Sequence, residues 1–177
     1  MTATKTLRGN TTIWAVRPEV FTAAEWAAGT SAAKWATAIT AGLIVDISCA
    51  VEDGYSLNAT GSATDSSMSV CDIAEVESPT YKEYEAALSL FRNRPGTIDT
   101  PIYDIALSWL DGLDVPLYLV KRVDKAQGIP VAAGHTLSAY SVTTDNGKDA
   151  ADDGEMLMFD VRFKTPGGIA TNIDAIA

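Results

Sequence analysis

The 177-residue sequence holds one histidine and two cysteines. That scarcity excludes a His/Cys zinc cluster, and Cys49 and Cys71 match no zinc spacing and are too few for a disulfide framework. Both lie in apolar or Ser-rich stretches that read as strands. They are expected to be reduced, buried small hydrophobes of a cytosol-made protein. No phosphate-cradling glycine loop occurs, and no G-x-S-x-G elbow accompanies His135, which follows Gly134 and reads as a turn residue. The acidic stretch 145–153 lacks the spacing and terminal Glu of a calcium loop. No hydrophobic run reaches bilayer length, since the most apolar one, 38–51, is broken by Gly42 and Asp46. Residues 1–10 are polar and contain no apolar core of a secretion signal. Basic groups are also short: 13 Lys and Arg face 23 Asp and Glu, for a net charge of −10. Such a surface repels phosphate backbones, which excludes a nucleic-acid binder held by a basic patch but not a protein past which DNA must slide.

The composition, 47% apolar and 20% charged, is that of an ordinary globular chain. Its length predicts a single domain over 1–177, with an N-terminal arm of about 1–10 and a long polar loop at about 52–67. Charge is uneven: residues 1–40 sum to +2, whereas 41–80 carry seven acids and no base. Alternation of period two dominates the rest. In 80–93, Tyr84, Ala86, Leu88 and Leu90 share one face, while Glu83, Glu85 and Ser89 share the other. In 155–164, Leu157, Phe159, Val161 and Phe163 point in, while Asp160, Arg162 and Lys164 point out. Shorter runs at 11–16, 43–51, 67–76, 117–123 and 135–144, bounded by Asp-Gly and Asn-Gly turns, complete a mainly β pattern. This predicts a β-sandwich or small barrel. One flanking α-helix is expected over about 101–111: Thr100 caps it, Pro101 opens it and Gly112 stops it. Ile102, Ile105, Ala106, Trp109 and Leu110 form its apolar stripe. The Ala-rich stretch 22–41 is expected to be irregular, with at most a short helix.

No active site emerges. Glu83 and Glu85 lie about 6.5–7 Å apart on one strand face, a separation used in glycoside hydrolysis but shared by every i, i+2 pair on a strand. Trp14, Trp26, Trp35 and Trp109 suggest a sugar-stacking platform. Trp109 is better placed in the core beneath the helix, and Trp26 and Trp35 over the sheet or at an interface. No cofactor is implied, and the chain is not expected to be an enzyme.

The order of these pieces carries a resemblance. An early short strand and an Ala/Thr-rich segment precede a long hairpin around Ser-Met-Ser-Val-Cys-Asp (67–72). Thr-Tyr-Lys-Glu-Tyr-Glu-Ala (80–86), one helix and Pro-Leu-Tyr-Leu-Val-Lys-Arg (116–122) follow. The last hairpin ends in Met-Phe-Asp-Val-Arg-Phe (158–163). From about 13 to 168 the chain resembles the major tail proteins of long, non-contractile-tailed bacteriophages, particularly those infecting actinobacteria. The resemblance implies a structural virion protein, assembled in the host cytoplasm, whose hexameric rings stack into a tail tube. Strands of six subunits would line a bore around the tape-measure protein, and later around exiting DNA. It also implies contacts with terminator and baseplate proteins, and none with a membrane. In that frame Glu83, Glu85, Asp46 and Asp72 are candidate lumen or interface carboxylates. Lys5 and Arg8, against Glu52, Asp53 and Asp65, are candidates for contact between rings. Two rival readings are another ring-forming neck or tail component (a terminator or baseplate hub) and a monomeric carbohydrate-binding sandwich.

Overall fold

A computed structural model of the protein describes residues 10–65, 78–94, 96, 100–123, 125–150, 157–164 and 169–176. In chain order the elements are β1 (Thr11–Val16), α1 (Ala23–Ala28), β2 (Thr30–Ser31), α2 (Ala32–Thr40) and β3 (Ile44–Asp46). A 3-10 turn (Ser48–Ala50) leads to β4 (Ser56–Asp65), β5 (Ser78–Phe91) and α3 (Pro101–Leu110). Then come β6 (Pro116–Val123), β7 (Thr136–Thr144), β8 (Lys148–Ala150), β9 (Met158–Lys164) and β10 (Ile169–Ile176).

The fold is mainly β, as the alternation predicts. The strands join in one sheet in the order β3-β1-β6-β7-β9-β5-β4. β7 is where the sheet divides: its Thr143 and Thr144 pair with β9, while its first half pairs antiparallel with β10. Through β9 the sheet curls over, so that Leu57, Leu88 and Leu90 share a core with Ile13, Leu117 and Leu119 of β1 and β6. A second core lies on the opposite face of β1, β6 and β7, where Trp14, Val120 and Leu137 meet Phe21, Trp26 and Trp35. Central strands covered on both faces lose the polar half of their alternation. Accordingly, five successive residues of β1 are buried.

The second core corrects two expectations. The Ala-rich stretch is not irregular but forms α1 and α2, so three helices flank the sheet instead of one. α1 is fixed by a capping box: the Thr22 side chain accepts from the Glu25 N–H, and Glu25 Oε2 accepts from the Thr22 N–H at 2.8 Å. Gly29, at φ +111°, separates the two helices where the Asp174 carbonyl would stand 2.9 Å from any Cβ. α2 is held by Trp35, whose Nε1 donates to Thr30 Oγ1 at 3.0 Å while its ring packs on Trp14 and Phe21. Trp26 and Trp35 therefore cover the sheet.

Other boundaries move for local reasons. The expected strand at 43–51 shortens to β3, because Ser48 turns the chain: its Oγ accepts from the Ile13 N–H at 2.8 Å and donates to Asp46. That turn leaves Cys49 exposed, not buried, with its thiol donating to Gln127 Oε1 at 3.1 Å. Cys71 and the expected strand 67–76 lie outside the described residues. The polar stretch 52–67 is no loop over most of its length. Ser56–Asp65 is β4, whose backbone groups pair with β5. Its polarity reflects an edge strand. In α3, Thr100 occupies the N-cap without a side-chain cap bond. Buried Asn93 holds that end instead, accepting from the Thr100 N–H and donating to the Thr100 carbonyl and to Asp104. The stripe is also rotated. Ala106 and Leu110 are buried, with Tyr103, Leu107 and Trp109 against them, whereas Ile105 is 42% exposed.

Candidate assembly surface

β5 is 14 residues long, and its neighbours cover it unequally. On one side β4 pairs with it from Ser78 to Ala87. On the other, β9 pairs only with Ala87 through Phe91. Residues 78–86, about 30 Å of strand at ~3.3 Å per residue, therefore run past β9 with one edge unpaired among the described strands. β4 ends the strand order, so among the described strands its outer edge is unpaired as well. Only this projecting part of β5 has its β9-side edge unpaired among the described strands. Of the five residues that pair with β9, Ala87 also pairs with β4 and Leu90 bridges to Val51. Register shifts at Ala59/Ser62 and Ala63/Thr64 increase the local twist of the hairpin.

The carboxylates predicted from sequence are scattered over this half of the molecule. Glu85 is exposed on β5, with Ser56 Oγ donating to it at 3.3 Å. Glu83 and Asp65 lie on β5 and β4, with side chains outside the described set. Glu52 and Asp53 are exposed on the turn before β4. They line a cleft of about 210 Å³ with Thr11, Ile13, Ser48, Val51, Tyr55 and Gln127. Asp46 is half-buried on β3, accepting from both the backbone N–H and the hydroxyl of Ser48, at 3.0 and 2.5 Å. Lys5, Arg8 and Asp72 lie outside the described residues. The structure thus brings Glu52 and Asp53 together at one cleft and sets Glu85 apart on the hairpin.

Sequence reasoning missed the two cations at the end of β6. Lys121 and Arg122 point to opposite faces of a strand buried on both. Lys121 Nζ donates to the Leu57 carbonyl at 3.0 Å, with the rings of Tyr55 and Tyr140 each 5.9 Å away. Burial lowers the Lys121 pKa and raises those of Tyr55 and Tyr140. Arg122 is 1% exposed and stacks over Trp14. The visible signal was a Lys-Arg pair inside an otherwise apolar strand.

Nothing in this geometry resembles a reaction centre. Among the described residues, no three His, Cys, Asp or Glu side chains come together as a metal site. No described helix is long and apolar enough to cross a membrane. The surface offers unpaired strand edges and acidic side chains, which suit association between chains. A comparison with curated proteins found no match. A family model described as phage tail tube protein matches residues 1–177. The chain belongs to that family, and is therefore a structural component of the phage tail and not an enzyme.

Proposed function

We propose that six copies close into a ring and that rings stack into the tube of a long, non-contractile tail of the kind that infects actinobacteria. The observation that carries this reading is the β4–β5 hairpin, with an unpaired edge on each side. β4 has no Pro, Lys or Arg, the residues that usually blunt an exposed edge. Pairing β4 of one copy with residues 78–86 of the next is a heterologous contact, and such contacts close into rings when the rotation permits.

In this arrangement Glu83, Glu85 and Asp72 face the bore or the seam between copies. The net charge of −10 then keeps phosphate from adhering while DNA slides out. Lys5 and Arg8 of one ring meet Glu52, Asp53 and Asp65 of the next. Asp46, engaged with Ser48, serves the fold. The tape-measure protein fills the bore before DNA does, terminator and baseplate proteins bound the tube, and assembly takes place in the host cytoplasm.

Light scattering across concentration, with negative-stain electron microscopy of the same fractions, tests the proposal. Hollow rings or tubes with six-fold end views are expected. A chain that stays monomeric even with tape-measure and baseplate components present refutes it.

A further inference from the structure

Arg122 organises the segment after β6. Its Nη2 donates to the Ala126 carbonyl at 3.3 Å and to Thr12 Oγ1 at 3.2 Å, and its Nη1 donates to the Pro130 carbonyl at 3.4 Å. The same Nη1 stands 3.3 Å from His135 Nδ1, which also receives the Ala132 N–H at 3.2 Å. A guanidinium and a peptide N–H are both donors only, so Nδ1 must be bare and the imidazole proton must sit on Nε2. A second proton can enter only at Nδ1. It removes both hydrogen bonds and sets an imidazolium against a guanidinium. Among the described residues, Arg122 Nε is buried without a hydrogen-bond partner.

Among the described residues, charges of both signs surround the pair. Lys125, on the loop itself, adds positive charge near His135, and Asp46 on β3 acts on Arg122. β1 contributes the Thr12 hydroxyl and the Trp14 ring, both uncharged. β10 contributes Asp174, exposed beside Ala175, whose N–H donates to the His135 carbonyl at 2.8 Å. Burial first, then Arg122 and Lys125, hold His135 below the ordinary imidazole range. The loop is tied to the cleft as well, because Gln127 both lines it and accepts from the Cys49 thiol.

We propose that residues 125–135 form a proton-operated latch, in which one proton taken up at His135 Nδ1 frees the loop from Arg122 and opens the cleft that Gln127 helps to line. The latch is a property of the subunit and does not depend on ring formation.

Amide hydrogen exchange on the full-length protein, corrected for intrinsic rates, tests it between pH 7.5 and 5. Protection across 132–135 is expected to fall about tenfold per pH unit as pH drops from the ordinary imidazole value of about 6.5 toward the lower His135 midpoint, the slope of one bound proton. His135→Gln, which offers an acceptor that does not titrate, is expected to keep that protection flat. Unchanged wild-type protection, or the same acid loss in H135Q, overturns the proposal. If H135Q does not fold, the wild-type protein still decides the matter, because its single histidine gives one imidazole NMR titration. A midpoint at or above the ordinary value of about 6.5 also overturns it.

Discussion

The helical layer on the second face depends on a single buried hydrogen bond whose contribution can be isolated. Trp35 is 1% exposed and Thr30 fully buried, and the bond between them joins α2 to β2. Trp35→Phe keeps an aromatic ring against Trp14 and Phe21 but removes the indole N–H. Leaving the Thr30 hydroxyl without its donor costs about 1–3 kcal/mol. Roughly 40 Å³ of lost volume, at ~24 cal/mol per Å³, adds about 1 kcal/mol. The expected loss of about 2–4 kcal/mol lowers Tm by roughly 5–15 °C in a domain of this size. Trp26 supplies the control: its Nε1 is buried with no partner, so Trp26→Phe removes volume and no bond. It is expected to cost only about 1 kcal/mol. Urea denaturation of the unassembled subunit, followed by circular dichroism, gives each value. Thr30→Val alone and the double variant W35F/T30V then give the coupling, expected at about 1 kcal/mol or more. A coupling near zero, or W26F as damaging as W35F, refutes the view that this bond, more than ring packing, anchors α2.

Three further outcomes follow from individual contacts. Glu25, held at a pKa of about 2 by Lys34 and then by the Thr22 cap, contributes to α1 while ionised. Its folded value lies below its unfolded one, so that contribution is lost as pH falls from about 4.5 toward 2. Lys34→Met should move the Glu25 carboxyl midpoint up toward 4.5, as read by carbon-13 NMR. At Gly147 a Cβ would fall 2.1 Å from Phe159 Cζ, so Gly147→Ala forces the buried ring to move. The expected cost is about 1–3 kcal/mol, measured by thermal unfolding. On α3, Leu110→Ala should cost about 2–5 kcal/mol and Ile105→Ser less than about 0.5. Equal effects would mean that the helix packs by the stripe read from sequence.

Alternation is plainest in strands with one wet face, although β1, β6 and β7, covered on both, are also legible as short apolar runs. The alternation of Ala86, Leu88 and Leu90 against Glu85 and Ser89 appears in β5 as predicted, and that of Phe159 and Val161 against Arg162 in β9. α3 was legible in its extent but misjudged in its rotation. Its stripe contained two isoleucines of equal hydropathy, and only the position of Asn93 and the sheet decides which of them is covered. The Ala-rich segment failed for a different reason. Ala, Thr and Gly give a weak helical period, and what makes 23–40 helical is the tertiary surface of Trp14, Val120 and Leu137 beneath it. Cys49 was misplaced because one serine at 48 ends β3 early, by meeting a backbone group of β1 that lies 35 residues away.

An assembly surface is harder to read from sequence than an active site. Catalysis requires rare residue types at fixed distances, and those leave marks on the chain. An open strand edge is a relation between elements: one edge of residues 78–86 is unpaired among the described strands because β9 stops pairing at Ala87, and nothing in their own composition records where β9 stops. The polar stretch 52–67 reads as a loop in sequence because edge strands and loops draw on the same small, hydrated residues. A loop satisfies its backbone with water, whereas β4 already directs part of its backbone to β5 and keeps its other edge unpaired. The absence of lysine and proline along β4, which in a loop means nothing, therefore becomes informative once its partner is known. A chain that must remain a monomer has every physical reason to charge or break such an edge. A chain built to meet its own copies has reason to keep it clean.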